Sequence, residues 1–306
     1  MTLRTPPILR AATGVLLYTV LTSAIAQSEG PELVTNTFSW TQVINAQTIE
    51  VVPRKRSFGF MIQHRFGAVG PDKQAYKQFL GLDLPANIRF GFQYALTDRL
   101  QLEIGRCKTG KTIDLSVKGR LLRQTVDGRT PVSVTGYFST AVMTDDFPSL
   151  GTNYFYADLA TPFTYETRHR FSYTTELIVA RRFSDVLSAQ IAGAIAYRNL
   201  VPVGGSNLTV ALPLSGRVKV TTKGAVLFEY TPILVGRQAK DHLNPLAVAY
   251  EVATLGHVFQ IIVASSSHIP EKDVYTNPTT PYDEGHLLLG FNIARTFLVK
   301  PRKPRP

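Results

Sequence analysis

A single cysteine, Cys107, and a single tryptophan, Trp40, stand in a chain that, beyond residue 26, has no apolar run long enough to cross a membrane as a helix. One thiol excludes intrachain disulfides, so cross-links do not hold the fold together. No cysteine follows the small residues near the amino terminus, which argues against a lipid anchor. The sequence also lacks a Gly-x-Ser-x-Gly elbow, a His-Glu-x-x-His helix and paired-cysteine zinc spacing. The six histidines, His64, His169, His242, His257, His268 and His286, have no nucleophile placed to join them, and Asp145, Asp146 and Asp241 form no metal-ligand spacing. The reading is a protein that is not an enzyme, with no cofactor and no metal.

What is present begins with an export signal. Arg4 and Arg10 flank an uncharged start, and residues 11–26 run apolar to the small-x-small triplet Ala24-Ile25-Ala26. A membrane-anchoring helix would need about 20 apolar residues, and this run is shorter and interrupted by Thr13, Thr19 and Thr22. Cleavage before Gln27 is expected. The formal charge of +11 falls by two when Arg4 and Arg10 leave. A basic chain invites a nucleic-acid reading. The charges are nevertheless spread through alternating segments, apart from the tail at 300–306, and an exported chain rarely meets nucleic acid. Anionic lipid head groups or a basic lumen account for the charge more economically.

The mature chain is dominated by two-residue alternation. Ile88, Phe90, Phe92 and Tyr94 fall on one side of an extended segment, and Asn87, Arg89, Gly91 and Gln93 on the other. A transmembrane β-strand reads this way, apolar toward lipid and polar toward a lumen. Twelve such segments are expected, at 57–66, 86–95, 99–107, 112–122, 131–142, 169–182, 186–197, 209–220, 224–231, 246–254, 257–264 and 286–297. Ten residues at ~3.3 Å each, tilted by ~40 to 45°, span the apolar band of an outer membrane.

The joints take turns. Those at 96–98, 184–185, 221–223 and 255–256 are tight, whereas 68–85, 144–168, 198–208, 232–245 and 265–285 are long and rich in Pro, Gly, Asn and Asp. The connection at 108–111 breaks the pattern by being short. A soluble antiparallel sandwich also alternates, but the export signal, the loop asymmetry and the aromatics near strand ends (Phe66, Tyr94, Phe183, Tyr197, Tyr230 and Phe297) weigh against it. The expected fold is all-β: a closed, antiparallel, up-and-down transmembrane barrel of about twelve strands in the outer membrane of a Gram-negative bacterium. Its divisions are a signal peptide (1–26), a preceding extension or plug (27–56), the barrel (57–299) and the basic tail (300–306).

Several motifs carry a resemblance. HRFG at 64–67, GLD at 81–83, NIRFGFQYALTDRL at 87–100, IGR at 104–106, LLRQ at 121–124, GHVFQ at 256–260 and GFNIARTF at 290–297, with Lys111 and Lys118, are in order along the chain. Together they resemble a predicted outer-membrane β-barrel family best known from Bacteroidetes and carried as a domain of unknown function. The resemblance implies a single barrel domain with no established activity. Cys107 departs from it, standing where a small hydroxyl residue is expected, and the chain runs past Phe297 into KPRKPRP rather than ending near an aromatic.

If the apolar parity faces lipid, the lumen receives Arg65, Arg89, Gln93, Glu103, Asp114, Lys118, Arg120, Glu176, Arg182, Arg217, Lys219, Glu229 and Glu251. Both signs are present. They can form an interior ion-pair network that fills the barrel, or leave surplus Arg and Lys as an anion-favouring constriction. Twelve strands lie between side-chain-filled barrels and wide porins, so the expected function is a narrow channel or ligand-uptake barrel with a net basic lumen. A structural or partner-docking barrel is the alternative, and a hydrolase the third reading. Candidate partners are outer-membrane lipid, a small anionic solute and a periplasmic protein, with no nucleic acid. The segment before the first strand, with Trp40, Val43, Ile44 and Ile49, can fold into the lumen or pack beneath the barrel; the sequence does not choose.

Overall fold

The computed structural model describes residues 31–297, except 53–54, 72–73, 148, 150–153, 157, 159, 203 and 238–242. The expected signal peptide, the basic tail and the Asp241-His242 pair lie outside the described residues. Twelve antiparallel strands form the fold: β1 (Phe58–Val69), β2 (Asn87–Ala95), β3 (Leu100–Cys107), β4 (Ile113–Leu122), β5 (Ser133–Val142), β6 (Phe171–Arg182) and β7 (Leu187–Arg198). Then come β8 (Leu208–Ala211 and Leu214–Lys219), β9 (Gly224–Tyr230 and Ile233–Val235), β10 (Leu246–Thr254), β11 (His257–Ala264) and β12 (Leu287–Phe297). Each pairs with its sequence neighbours, and β12 returns to β1 with Phe58 opposite Phe297 and Arg65 opposite Gly290. The sheet closes on itself. Closure leaves no edge with unpaired N–H and C=O groups, which a membrane demands.

The expected strands at 209–220 and 224–231 are present but interrupted. Pro213 lacks an N–H, so β8 breaks there, and β9 breaks at Pro232 for the same reason. The ladder continues across both breaks through the proline carbonyls: Ala192 N–H donates to Pro213 O and Leu212 N–H to Pro232 O, each at 2.9 Å. Both halves of β8 stay on β7, so the gap is a kink rather than an end.

Polarity is inside out relative to a soluble protein. Along β2, Asn87, Arg89, Gly91 and Gln93 are buried, while Phe92 is 55% exposed on the outside. Ile104, Leu115, Leu177, Ile195, Phe228, Val248 and Ile261 continue the apolar outer face round the circumference. A water-soluble domain rarely exposes a contiguous apolar surface of this extent. Among the described residues no helix is long and apolar enough to cross a membrane. Tyr94, Tyr197, Tyr230 and Phe297 ride on the outer face near strand ends. On that face Phe228 lies over its cross-strand neighbour Gly216, where a Cβ would collide with the ring.

Both termini of the barrel lie at the end carrying the short turns. At the opposite end the loop after β1 doubles back on the strand, bringing Gly81 at φ +90° against the Gly67 carbonyl, where only glycine fits. The loop between β11 and β12, long and rich in Pro, Asn and Asp, turns inward: a short helix within it, α1 (Glu271–Thr276), has Glu271, Asp273, Val274, Tyr275 and Thr276 buried in the barrel. Its Val274 and Tyr275 pack on Ala194, Ala196 and Ala211 of the wall.

Candidate functional site

Residues 37–52 enter from the short-turn end and run inside the barrel. The segment is first pinned at the turn between β4 and β5, where Val34 N–H donates to Gln124 O at 2.9 Å and Leu33 bridges Thr125. It then rises and reverses at Val43–Ala46, closed by Val43 N–H to Ala46 O at 2.9 Å. On the way out Val52 N–H reaches Gln101 Oε1, and Arg56 N–H bonds Ala95 O before β1 begins. Of the two placements left open by the sequence, the segment occupies the lumen.

A chain with so little secondary structure of its own must find partners for every buried peptide group. The wall supplies them. Lys118 Nζ donates to Thr41 O at 2.6 Å, Gln260 Nε2 to Val43 O at 2.7 Å, Asn292 Nδ2 to Ile44 O at 2.9 Å and Gln190 Nε2 to Gln47 O at 2.7 Å. Thr135 Oγ1 and Arg120 Nε both donate to Ile49 O, each at 3.3 Å. At the reversal the polarity switches: Glu229 Oε1 accepts the N–H groups of Ile44, Asn45 and Ala46 at 2.7, 2.9 and 2.8 Å. Successive N–H groups converging on one point form an anion-binding concavity, here filled by a carboxylate of the barrel itself. Arg65 grips the same turn from across the lumen, donating to Asn45 Oδ1 at 2.8 Å and Asn292 Oδ1 at 3.0 Å. Phe38, Val43, Ile44 and Ile49 meanwhile pack against Ile178, Leu227 and Ile262 of the wall.

The remaining predicted lumen residues fall into distinct groups. Arg89 lies among acids, its terminal nitrogen 2.8 Å from Glu103 and its Nε 3.0 Å from Asp114, with Gln63 at 3.1 Å. Gln93 links Glu103 to Thr41 of the inserted segment. Glu176 accepts from the Tyr275 hydroxyl at 2.8 Å. Glu251 pairs with Arg217 at 2.9 Å and accepts from Ser39 at 2.7 Å. Arg182 and Lys219 sit apart from these, at the short-turn rim, where Arg182 pairs with Asp185 and Lys219 is exposed.

The two insertions meet on Glu271. Its Oε1 accepts from Gln42 and Gln47 of the N-terminal segment and its Oε2 from the Tyr137 hydroxyl of β5. Burial holds the Glu271 carboxyl above the ordinary carboxylate range, against the opposing pull of Arg89. Burial also pushes the Tyr275 phenol well above its usual value, with Glu176 adding to the effect. Neither Glu271 nor Glu50, which pairs with Arg120 at 3.3 Å, was singled out from the sequence. Together they match the two-charge surplus of bases over acids among the thirteen predicted lumen residues. Gln63, Gln101, Gln190, Gln260 and Asn292 were also passed over, although their parity placed them with the others.

The described histidines do not assemble. His64 is on the outer face of β1, stacked on Phe291 with ring centres 5.0 Å apart. His169 closes a capping box with Glu166, accepting its N–H at 3.0 Å. Cys107 is buried, 3.4 Å from Asn87 Oδ1. Asp145 is tied to Lys111 at 2.7 Å.

Residues 38–297 match the family model described as membrane bound beta barrel domain (DUF5777). The chain belongs to this family. It is therefore a membrane β-barrel. Among curated proteins none matches the sequence. Among solved structures it is similar to the KdgM porin in complex with disordered oligogalacturonate at 8% identity and TM-score 0.46, covering 78% of this chain and 99% of that one. It is similar to the NanC porin at 7% identity and TM-score 0.45, covering 78% and 100%. A Rhodopseudomonas blastica porin triple mutant aligns at 9% identity and TM-score 0.32, covering 69% and 55%.

Proposed function

We propose that the protein is an outer-membrane barrel serving as a gated conduit for small solutes, closed by its own N-terminal segment. The observation carrying this reading is that the backbone of residues 41–50 is held by wall side chains rather than by a β-ladder. Water can replace such bonds at modest net cost, because each side exchanges one polar partner for another. A segment fixed this way can be withdrawn without tearing the sheet. With the short turns on the periplasmic side, as in barrels of this type, the N-terminal segment enters from the periplasm, and α1 packs beyond it on one sector of the wall, against β6, β7 and β8.

The test is conductance in planar bilayers of the full protein and of a variant lacking residues 37–52. The full protein is expected to be mostly closed and the shortened one to conduct steadily. A shortened barrel that still shows heat-modifiable gel migration yet stays silent would overturn the conduit reading. It would favour the second one, a structural or partner-docking barrel, for which the same filled lumen also speaks. No arrangement of the described histidines and acids supports a hydrolase.

A further inference from the structure

With Glu50 and Glu271 counted, the named lumen charges balance as a whole, but they are unevenly placed, and the short-turn rim holds a surplus of cations. There a cavity of about 180 Å³ opens between the inserted segment and the wall, lined by Arg182, Arg217, Lys219 and Lys223 together with Ser188 and Thr222. Arg182, Ser188 and Arg217 form one cross-strand row over β6, β7 and β8, since Arg182 is opposite Ser188 and Ser188 opposite Arg217. Two carboxylates answer the four cations: Asp185 on Arg182 and Glu251 on Arg217 Nε. Glu251 is fully engaged, accepting also from Ser39 and Gln260. Among the described residues the Lys219 and Lys223 ammonium groups, the terminal nitrogens of Arg217 and the Ser188 and Thr222 hydroxyls have no hydrogen-bond partner. Two uncompensated positive charges and a set of converging donors therefore face a space with room for several waters, at ~30 Å³ each.

We propose that this cavity is a binding site for a small doubly charged oxyanion, a free phosphate or a phosphomonoester group. A dianion neutralises the surplus, the Arg217 fork matches two of its oxygens and the lysines act as point charges on the others. A neutral sugar offers nothing to the two lysines, and a monoanion leaves one of them unanswered. The site lies on the periplasmic side of the plug in the orientation proposed above, but its occupancy does not depend on whether the barrel conducts. Because Ser39 of the inserted segment and the adjoining Asn36 form part of its lining, an occupant bridges wall and plug.

The experiment is equilibrium dialysis of the full-length, detergent-folded protein against radiolabelled inorganic phosphate at low ionic strength, with glucose 6-phosphate and glucose as competitors. Saturable binding of one phosphate per barrel with a dissociation constant of about 1 mM or tighter is expected, displaced by glucose 6-phosphate but not by glucose. Binding should weaken about tenfold or more in K219Q/K223Q and be retained in K219R/K223R. Both lysines are at the rim, so these variants should keep the heat-modifiable migration of the folded barrel. Absence of saturable binding, displacement by glucose, or equal binding by K219Q/K223Q would each overturn the proposal. Conductance is not read in this experiment, so its failure leaves the conduit reading standing, and the silence of the shortened barrel would leave this one standing.

Discussion

Replacing Glu229 by alanine removes the one acceptor shared by three N–H groups at the tip of the inserted segment. Each buried donor left unpaired costs about 1–3 kcal/mol. The void left by the carboxylate adjoins a space of about 10 Å³ next to Asn45 and Ser266, so water can enter and recover part of the loss. The low end of the range then applies to all three donors, giving about 3 kcal/mol against the inserted state. At 1.4 kcal/mol per decade this shifts the balance between inserted and withdrawn segment by roughly a hundredfold. Glu229→Gln keeps one carbonyl oxygen and should lie between wild type and Glu229→Ala. The readout is maleimide labelling of Thr48→Cys in a Cys107→Ser background, because Thr48 is fully buried in the inserted segment and reacts only after withdrawal. Labelling should accelerate by about the same factor, and open probability in bilayers should rise with it. If Glu229→Ala labels at the wild-type rate while the barrel remains folded, the carboxylate is not what holds the segment, and the mechanism of closure argued above is wrong.

Arg89→Met should destabilise the barrel by about 3–5 kcal/mol, seen as a lower urea midpoint in detergent, because it leaves Glu103 and Asp114 buried without their shared cation. Adding Glu103→Gln and Asp114→Asn should recover most of the loss, and an unchanged midpoint in Arg89→Met alone would count against the ion cluster. At the long-loop end, the hydrogen bond from Lys111 holds Asp145 below the ordinary carboxylate range and raises Lys111 in turn. A lowered carboxylate contributes above its ordinary pKa and loses that contribution as pH falls through the lowered value. Hydrogen exchange at the Asp145 amide, which donates to Gly110 O at 3.2 Å, should therefore accelerate on acidification beyond its intrinsic trend. Asp145→Asn should abolish that excess.

The strands were legible because a closed sheet with lipid on one side and polar groups on the other imposes a strict period of two. Phe90 and Phe92 face outward and Arg89 and Gln93 inward, as their parity required. The two interruptions were also written in the sequence, in Pro213 and Pro232, but a proline in an alternating run reads equally as a strand end, a bulge or an edge. Only the neighbours show that β8 and β9 continue past it. The inward turn of the loop at 265–285 left no such trace. Its Pro, Asn and Asp content fits an exposed excursion, and Glu271 is buried only because Gln42, Gln47 and Tyr137 converge on it from elements far away in the chain.

The occupant of the lumen left its mark on the wall rather than on itself. Residues 37–52 have no period, since a segment solvated by side chains all round has no preferred face. The wall opposite it has Gln63, Gln93, Gln101, Gln190, Gln260 and Asn292 on inward positions, each buried. A carboxamide carries both a donor and an acceptor on one short planar group, the same pair that a peptide unit presents. Charged side chains suit a water-filled channel, where each is hydrated and can meet a passing ion. Amides suit a channel that must satisfy a polypeptide without fixing it by charge: Gln260, Gln190 and Asn292 donate to carbonyls of the segment, while Gln101 accepts one of its N–H groups. Carboxamides gathered on the lumen parity of a barrel are thus a sequence signal for a backbone inside it, and charge alone, on which the expectation of a net basic lumen rested, does not contain that signal.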